Sequence, residues 1–330
     1  MKYFIFSLIF FFLLNISCAG TLEQKFKVGF LSDNFTVPRW VTEKDFFVEK
    51  ANELGMEVLV RSANGNPDIQ IDMANDLITE GVKLIVIIAS NVNSAAAIVR
   101  NAHKKGVKVI AYDRLIRNSD LDFYLSFDNK KVGQLMTDYI VNIVPKGNYV
   151  IINGDVLDNN AHLVYNGIKD VLKNKSNINI LYAGYMTGWS GQEAAYYMKK
   201  VIEFSGEDVD AVISAYDGMS YSVIKVLDEF YPDKNIPVTG QDGELQACIN
   251  ILNGKQTLTI YKSGKKMAYE AAEIAYKLVA GEHIEVDDYV FNGRIDVPAV
   301  LLEPVLIDKN NIEDVIIKEG VYTREQLGLN

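Results

Sequence analysis

Short runs of β-branched and aliphatic residues alternate with longer stretches of helical periodicity along most of the chain, and this rhythm constrains the fold more than any other feature. The runs at 28–31, 58–60, 84–88 and 107–112 are mainly apolar and bounded by turn residues, as strands buried on both faces are. Between them, Phe47, Ala51 and Leu54 mark a helix ended by Gly55. Ile69, Met73 and Leu77 mark a second, with Asn66 as cap and Pro67 at its first position, and Ala95, Val99 and Ala102 mark a third closed by Gly106. Such strands joined by crossover helices predict a parallel sheet with helices on both faces. The rhythm restarts after "YLSFDNKKVGQL", with strand candidates at 149–152, 178–182, 211–213, 237–239 and 258–261. The expected fold class is therefore α/β, as two similar doubly wound parallel-sheet lobes. No Pro- or Gly-rich linker separates them, so three short hinge crossings are expected, at 126–129, 261–263 and 292–296. These assign 24–128 plus 262–292 to an N-terminal lobe and 129–261 plus 293–330 to a C-terminal lobe.

In open parallel sheets a ligand binds in the crevice beyond the carboxyl ends of the strands. The stretch "VKVIAYDRLI" puts Asp113 and Arg114 at such an end. The second half repeats the arrangement: "DVLDNN" supplies Asp158, Asn159 and Asn160, "AYDG" supplies Tyr216 and Asp217, "GQDG" supplies Asp242, and Lys262 follows "TIY". Singly, each is an ordinary solvated loop residue. Together they form a set of carboxylate, guanidinium, amide and ammonium groups suited to a polyhydroxylated neutral ligand, because carboxylates accept from neighbouring hydroxyls while guanidinium donates a fixed fork. The only two tryptophans, Trp40 and Trp189, offer faces for the C–H surface of a sugar ring or, alternatively, fill core and interface space.

The formal net charge of −10 argues against nucleic acid as a partner, since such binding rests on Lys and Arg neutralising phosphates. Three dispersed histidines, His103, His162 and His283, form no HExxH pattern, and neither a P-loop nor a GxGxxG follows any strand. No metal and no cofactor is expected. Residues 1–23 read as an export segment: Lys2 precedes an apolar run over 3–14, too short to span a membrane, and "NISCAG" closes it with small residues around Cys18. Cys18 is similar to the lipidation site of bacterial lipoprotein signals, with an uncleaved N-terminal anchor as the competing reading. The other cysteine, Cys248, has no partner for a disulfide and reads as a buried helical residue.

In order along the chain, "RSANGN", "IAYDR", "DFYLSFDNKKVG", "IVPKGNY", "DNNA", "GQD", "TLTIYK" and "KNNI" resemble the D-xylose-binding family of bacterial periplasmic sugar-binding proteins (periplasmic binding protein type I). The resemblance spans nearly the whole chain after the export segment. It implies a noncatalytic receptor that clamps a monosaccharide between its lobes. It further implies a membrane partner, either the permease of an ABC importer or a sensor histidine kinase. Carried over motif by motif, it implies ligand contacts from Arg39 and Trp40 in "PRW", Asp113 and Arg114 in "YDR", Asp158 and Asn160 in "DNN", Trp189 in "GW", Asp242 in "GQD" and Lys262 in "YK". Two positions depart: Pro38 stands where the family has an acidic residue beside Arg39, and Tyr216 stands where it has Asn before Asp. Tyrosine keeps a hydroxyl, loses the amide's second donor and adds bulk. A ring turned inward would take the space of a hexose's exocyclic carbon, so a pentose is expected. Two other classes fit the pattern less well. A sugar-responsive repressor would carry a basic helix-turn-helix where the export segment stands, and a glycosidase would need two carboxyls flanking a glycosidic bond.

Overall fold

The computed structural model describes residues 26–286 and 288–329; the export segment and Cys18 lie outside them. The first elements are β1 (Lys27–Ser32), α1 (Pro38–Glu53), β2 (Glu57–Ser62), α2 (Pro67–Thr79), β3 (Leu84–Ile87), α3 (Ala96–His103), β4 (Lys108–Tyr112) and β5 (Phe123–Phe127). There follow α4 (Asn129–Ile143), β6 (Gly147–Asn153), α5 (Asn159–Leu172), β7 (Ile178–Tyr185), α6 (Gly191–Ser205), β8 (Ala211–Ser214), α7 (Asp217–Phe230), α8 (Leu245–Leu252) and β9 (Thr259–Tyr261). The last are α9 (Gly264–Ala280), β10 (Asp288–Phe291), β11 (Asp296–Leu302) and β12 (Val305–Ile307).

The N-terminal sheet runs β10-β11-β5-β4-β3-β1-β2 and is parallel except for β10. The unbroken apolar run of β3 follows from burial on both faces. Leu84 and Val86 pack with Phe47, Ala51, Met267 and Ala271 beneath α1 and α9, while Ile85 and Ile87 pack with Leu77, Val99 and Ala102 beneath α2 and α3. Asn66 caps α2 through its side chain, which accepts from Asp68 N and Ile69 N. The buried stripe of that helix is rotated from the expected one. Ile69 is 41% exposed, and Gln70, Ala74 and Leu77 face inward. Gln70 tolerates burial because its amide donates to Ile88 O at 2.9 Å and accepts from Ser90 N at 2.9 Å, which ties α2 to the loop leaving β3.

The second sheet is β7-β6-β8, all parallel, continued by single bridges from Val212 to Val238 and from Gln241 to Ile260 as far as β9 and the antiparallel β12. The run at 237–239 thus makes one bridge rather than a strand, since Pro237 has no N–H to give and Gly240 follows at once. Chain order places α4 directly after β5 and α9 directly after β9. The third crossing requires a correction. Residues 296–302, expected in the C-terminal lobe, form β11 beside β5 in the N-terminal sheet, with Ala299 opposite Tyr124 and Leu302 opposite Phe127. Asn292-Gly293 is a hairpin turn that pairs Phe291 with Asp296, Gly293 having φ +97°. The chain leaves this sheet only after Leu302, and β12 joins β9. Val297, Ala299, Val300 and Leu302 are buried on alternate faces, which holds the strand there.

Helices α4 and α5 meet glycine to glycine. A Cβ on Gly133 would lie 2.0 Å from Val164 O, and one on Gly167 would lie 2.0 Å from Lys130 O. Gly167→Ala is therefore expected to destabilise the fold by about 1–3 kcal/mol through overpacking. Denaturant unfolding measures it, and an unchanged midpoint would refute the close approach.

Candidate functional site

Arg39, Trp40, Asp113, Arg114, Asp158, Asn160, Trp189, Tyr216, Asp242 and Lys262 all line one cavity of about 580 Å³, whereas Asn159 does not. Arg39 and Trp40 come from the first turn of α1, Asp113 and Arg114 from the end of β4, and Asp158 and Asn160 from the start of α5. Trp189 follows β7, Tyr216 follows β8, Asp242 follows the bridge at Gln241, and Lys262 follows β9. Asp217, which adjoins Tyr216, does not reach the cavity. It is fully buried and accepts from Gln256 Nε2 (2.8 Å), Thr259 Oγ1 (2.9 Å) and Glu244 N (3.0 Å).

Asp113 sits at the centre. Its φ of +66° is left-handed, a conformation that Asp tolerates better than most residues. The strain is held by a converging network: Asp113 N donates to Leu125 O at 2.8 Å, and its carbonyl accepts from Tyr124 OH and Ser126 Oγ, each at 3.1 Å. Its carboxylate accepts from Asn160 Nδ2 at 2.6 Å and faces Arg39 NH2 at 3.1 Å. Asp242 and Trp189 share the left-handed backbone, with φ of +98° and +58°. Three strained residues in one cleft is the clustering expected of a functional site.

Charges are paired around the cleft. Arg39 meets Glu43 (2.8 Å), Asp113 and Asp242 (3.4 Å); Lys262 meets Asp242 (2.9 Å); and Arg114 meets Asp33 (3.0 Å), with Asp158 at 3.9 Å. A cation in the first turn of a helix opposes the helix dipole, so Arg39 depends on these carboxylates. Burial alone would lower the Arg39 pKa, but Glu43, Asp113 and Asp242 outweigh it and raise it. Burial pushes the Asp113 carboxyl up, yet Arg39, Lys262 and Arg114 together hold it below its ordinary value. In Asp158 burial prevails over Arg114 and the carboxyl is raised. With each cation already matched by carboxylate, the cleft suits a neutral polar ligand better than an anion. Trp40 Nε1, Asn160 Oδ1 and Gln241 Oε1 are buried in this lining without a hydrogen-bond partner among the described residues, and each can serve a hydroxyl.

The aromatic residues divide by role. Trp40 is 4% exposed and belongs mainly to the N-terminal core, with the Arg39 guanidinium 4.4 Å from its ring centroid. Trp189 stands in the cleft against Gly154, where a Cβ would lie 2.2 Å from the indole, and its Nε1 donates to Asp158 Oδ2 at 3.3 Å. Tyr216 meets Trp189 edge to face, with centroids 6.2 Å apart.

Sequence reasoning did not single out Asp33, Glu43 and Gln241. Asp33 directly follows β1, so the strand-end rule reaches it. Glu43 stands four residues after Arg39, the spacing of a helical ion pair. Gln241 carries no signal beyond its neighbour Asp242.

Residues 28–283 match a family model described as a periplasmic binding protein domain. The D-xylose-binding periplasmic protein of Haemophilus influenzae is 37% identical over 317 residues, covering 95% of this chain and 96% of that one. The protein of the same description from Escherichia coli is 37% identical over 307 residues, covering 92% and 93%. A crystal structure of an ABC transporter solute-binding protein from Clostridium phytofermentans with bound β-D-glucose superposes with a TM-score of 0.86 at 31% identity, covering 91% of this chain and 99% of that one. These relatives are binding proteins, not enzymes.

Proposed function

The chain belongs to the periplasmic binding protein family as a sugar-binding receptor, and we propose that it clasps D-xylose between its lobes and presents the closed form to the permease of an ABC importer. The observation that carries the reading is the convergence of ten polar and aromatic residues from both lobes on one cleft with paired charges. Asp113 and Asp242 accept from ring hydroxyls, Arg39, Arg114 and Lys262 donate, Asn160 does both, and Trp189 covers the C–H surface. Five or six such bonds, after the cost of association and closure, are compatible with roughly −8 kcal/mol, a micromolar site. Closure is a hinge rotation about the crossings, and the composite surface it creates is what the membrane partner reads. Cys18 carries a lipid that holds the receptor at the membrane.

Titration calorimetry with xylose, ribose, arabinose and glucose tests the ligand; no heat with any pentose removes it. Purification from native membrane with sugar present tests the partner, and co-elution of a sensor kinase in place of a permease overturns the transport assignment. Cys18→Ser is expected to move the protein from membrane to soluble fraction. Acidification adds a further expectation. Asp158 has a raised pKa and Asp113 a depressed one, so of these two ligand-facing carboxylates Asp158 is protonated first and loses acceptor capacity. Affinity should begin to fall on the alkaline side of about pH 4 in a one-proton step that is missing in Asp158→Asn. Calorimetry across about pH 4–7 shows whether that step exists.

A further inference from the structure

Tyr216 lines the cleft, and its surroundings fix what it offers a ligand. Its hydroxyl donates to Glu244 Oε1 at 2.7 Å, and the other oxygen of the same carboxylate accepts from Tyr221 OH at 2.7 Å. One carboxylate thus holds two phenols, and Glu244 N is itself fixed by Asp217 Oδ2 at 3.0 Å. Tyr216 lines the cavity, whereas Glu244 and Tyr221 do not. The ring is confined on its other side by Gly218, where a Cβ would lie 2.5 Å from the ring. With its hydroxyl turned to Glu244, Tyr216 gives the cleft ring surface, at 83° to the indole of Trp189. The two form an aromatic corner of the cleft, apart from its paired charges.

Building on the sugar-receptor reading, we infer that this corner selects monosaccharides without a hydroxyl on the C5 substituent, namely pentopyranoses and 6-deoxyhexoses, and that Glu244 is the positioning residue that keeps it apolar. A pentopyranose has hydroxyls on C1 to C4 and a methylene at C5. The hydroxylated edges suit the charged groups of Asp113, Arg114, Asp242 and Lys262 and the amide of Asn160, which leaves C5 as the one ring carbon that meets an aromatic corner without stranding a hydroxyl. A hexose puts a hydroxymethyl there and a 6-deoxyhexose a methyl. The methyl is an apolar group for an apolar surface.

D-xylose, 6-deoxy-D-glucose and D-glucose share ring stereochemistry and differ only at C5, so calorimetry with these three isolates the corner. The wild-type protein is expected to bind the first two and to bind glucose about tenfold to a hundredfold more weakly, the range by which an apolar pocket rejects an added hydroxyl. Tyr216→Asn should narrow the gap between 6-deoxyglucose and glucose. Glu244→Ala should narrow it too, by freeing the phenol, and Glu244→Gln should restore it. A purely structural role for Glu244 would weaken all three sugars alike and leave their ratio fixed, which overturns the assignment. Glucose binding as tightly as 6-deoxyglucose in the wild type overturns the corner while leaving the receptor reading intact. No heat with any of the three defeats both, and the wild-type series decides the matter even where a variant fails to fold.

Discussion

Asp113→Asn is expected to weaken sugar binding by roughly a hundredfold or more. The carboxylate has about four acceptor sites, of which Asn160 Nδ2 occupies one and Arg39 faces another. Oδ2 makes no hydrogen bond among the described residues, which leaves its acceptor capacity to the ligand in this reading. Loss of the charge weakens two such bonds, each worth roughly 1.5–3 kcal/mol when charge-assisted, and each 1.4 kcal/mol is about a factor of ten. Asn is the informative replacement because it accepts the left-handed backbone of residue 113. Asp113→Ala would lose the same contacts and add strain of about 1–2 kcal/mol, visible as lower stability than the Asn variant in denaturant unfolding. Calorimetry showing Asp113→Asn within about threefold of wild type, a difference under 1 kcal/mol, would place the carboxylate away from the ligand.

Much of this arrangement is legible before folding, for physical reasons that also mark where legibility ends. Strand and helix periodicity reveal the sheets because β3 and β4 are buried on both faces and read as apolar runs. The rule that ligands meet strand ends then locates Asp113, Asp158, Tyr216, Asp242 and Lys262. Arg39 lies at a helix start, where no periodicity signals a ligand, and only the family resemblance points to it, whereas Trp40 stands out as one of only two tryptophans. β11 was misplaced because a hairpin at Asn292-Gly293 and a hinge crossing look alike when the partner strand, β5, lies far back in the sequence. The buried face of α2 was misread because Gln70 is polar yet fully satisfied by Ile88 O and Ser90 N, a long-range fact that composition does not carry. The direction of the Tyr216 ring depends on Glu244, 28 residues further on.

Arg39 carries the largest stability expectation, because it is the cation at which three carboxylates from two lobes converge. Glu43 is 1% exposed and Asp113 4%, and Asp242 approaches from beyond the bridge at Gln241. Arg39→Met keeps much of the stem's volume and removes the charge. Stranding buried carboxylates in this way costs about 3–5 kcal/mol. The effect should depend on pH in a definite sense. Burial raises the Glu43 carboxyl in the wild type while Arg39 pulls it down, so removing Arg39 lets it rise further. A folded-state pKa above the unfolded one means that protons favour the folded form: the penalty is full at high pH and is relieved as pH falls through the folded value. Asp113 behaves oppositely in the wild type. Its depressed pKa contributes stability that persists through the neutral range and is lost only on acidification through the folded value. The gap between Arg39→Met and wild type should therefore shrink between about pH 7 and pH 5, and adding Glu43→Gln to the variant should recover part of the loss at pH 7. Unfolding curves at the two pH values measure it. A deficit of the same size at both, unmoved by Glu43→Gln, would mean that Arg39 acts through the stacking of its guanidinium on Trp40 and not through its carboxylate partners.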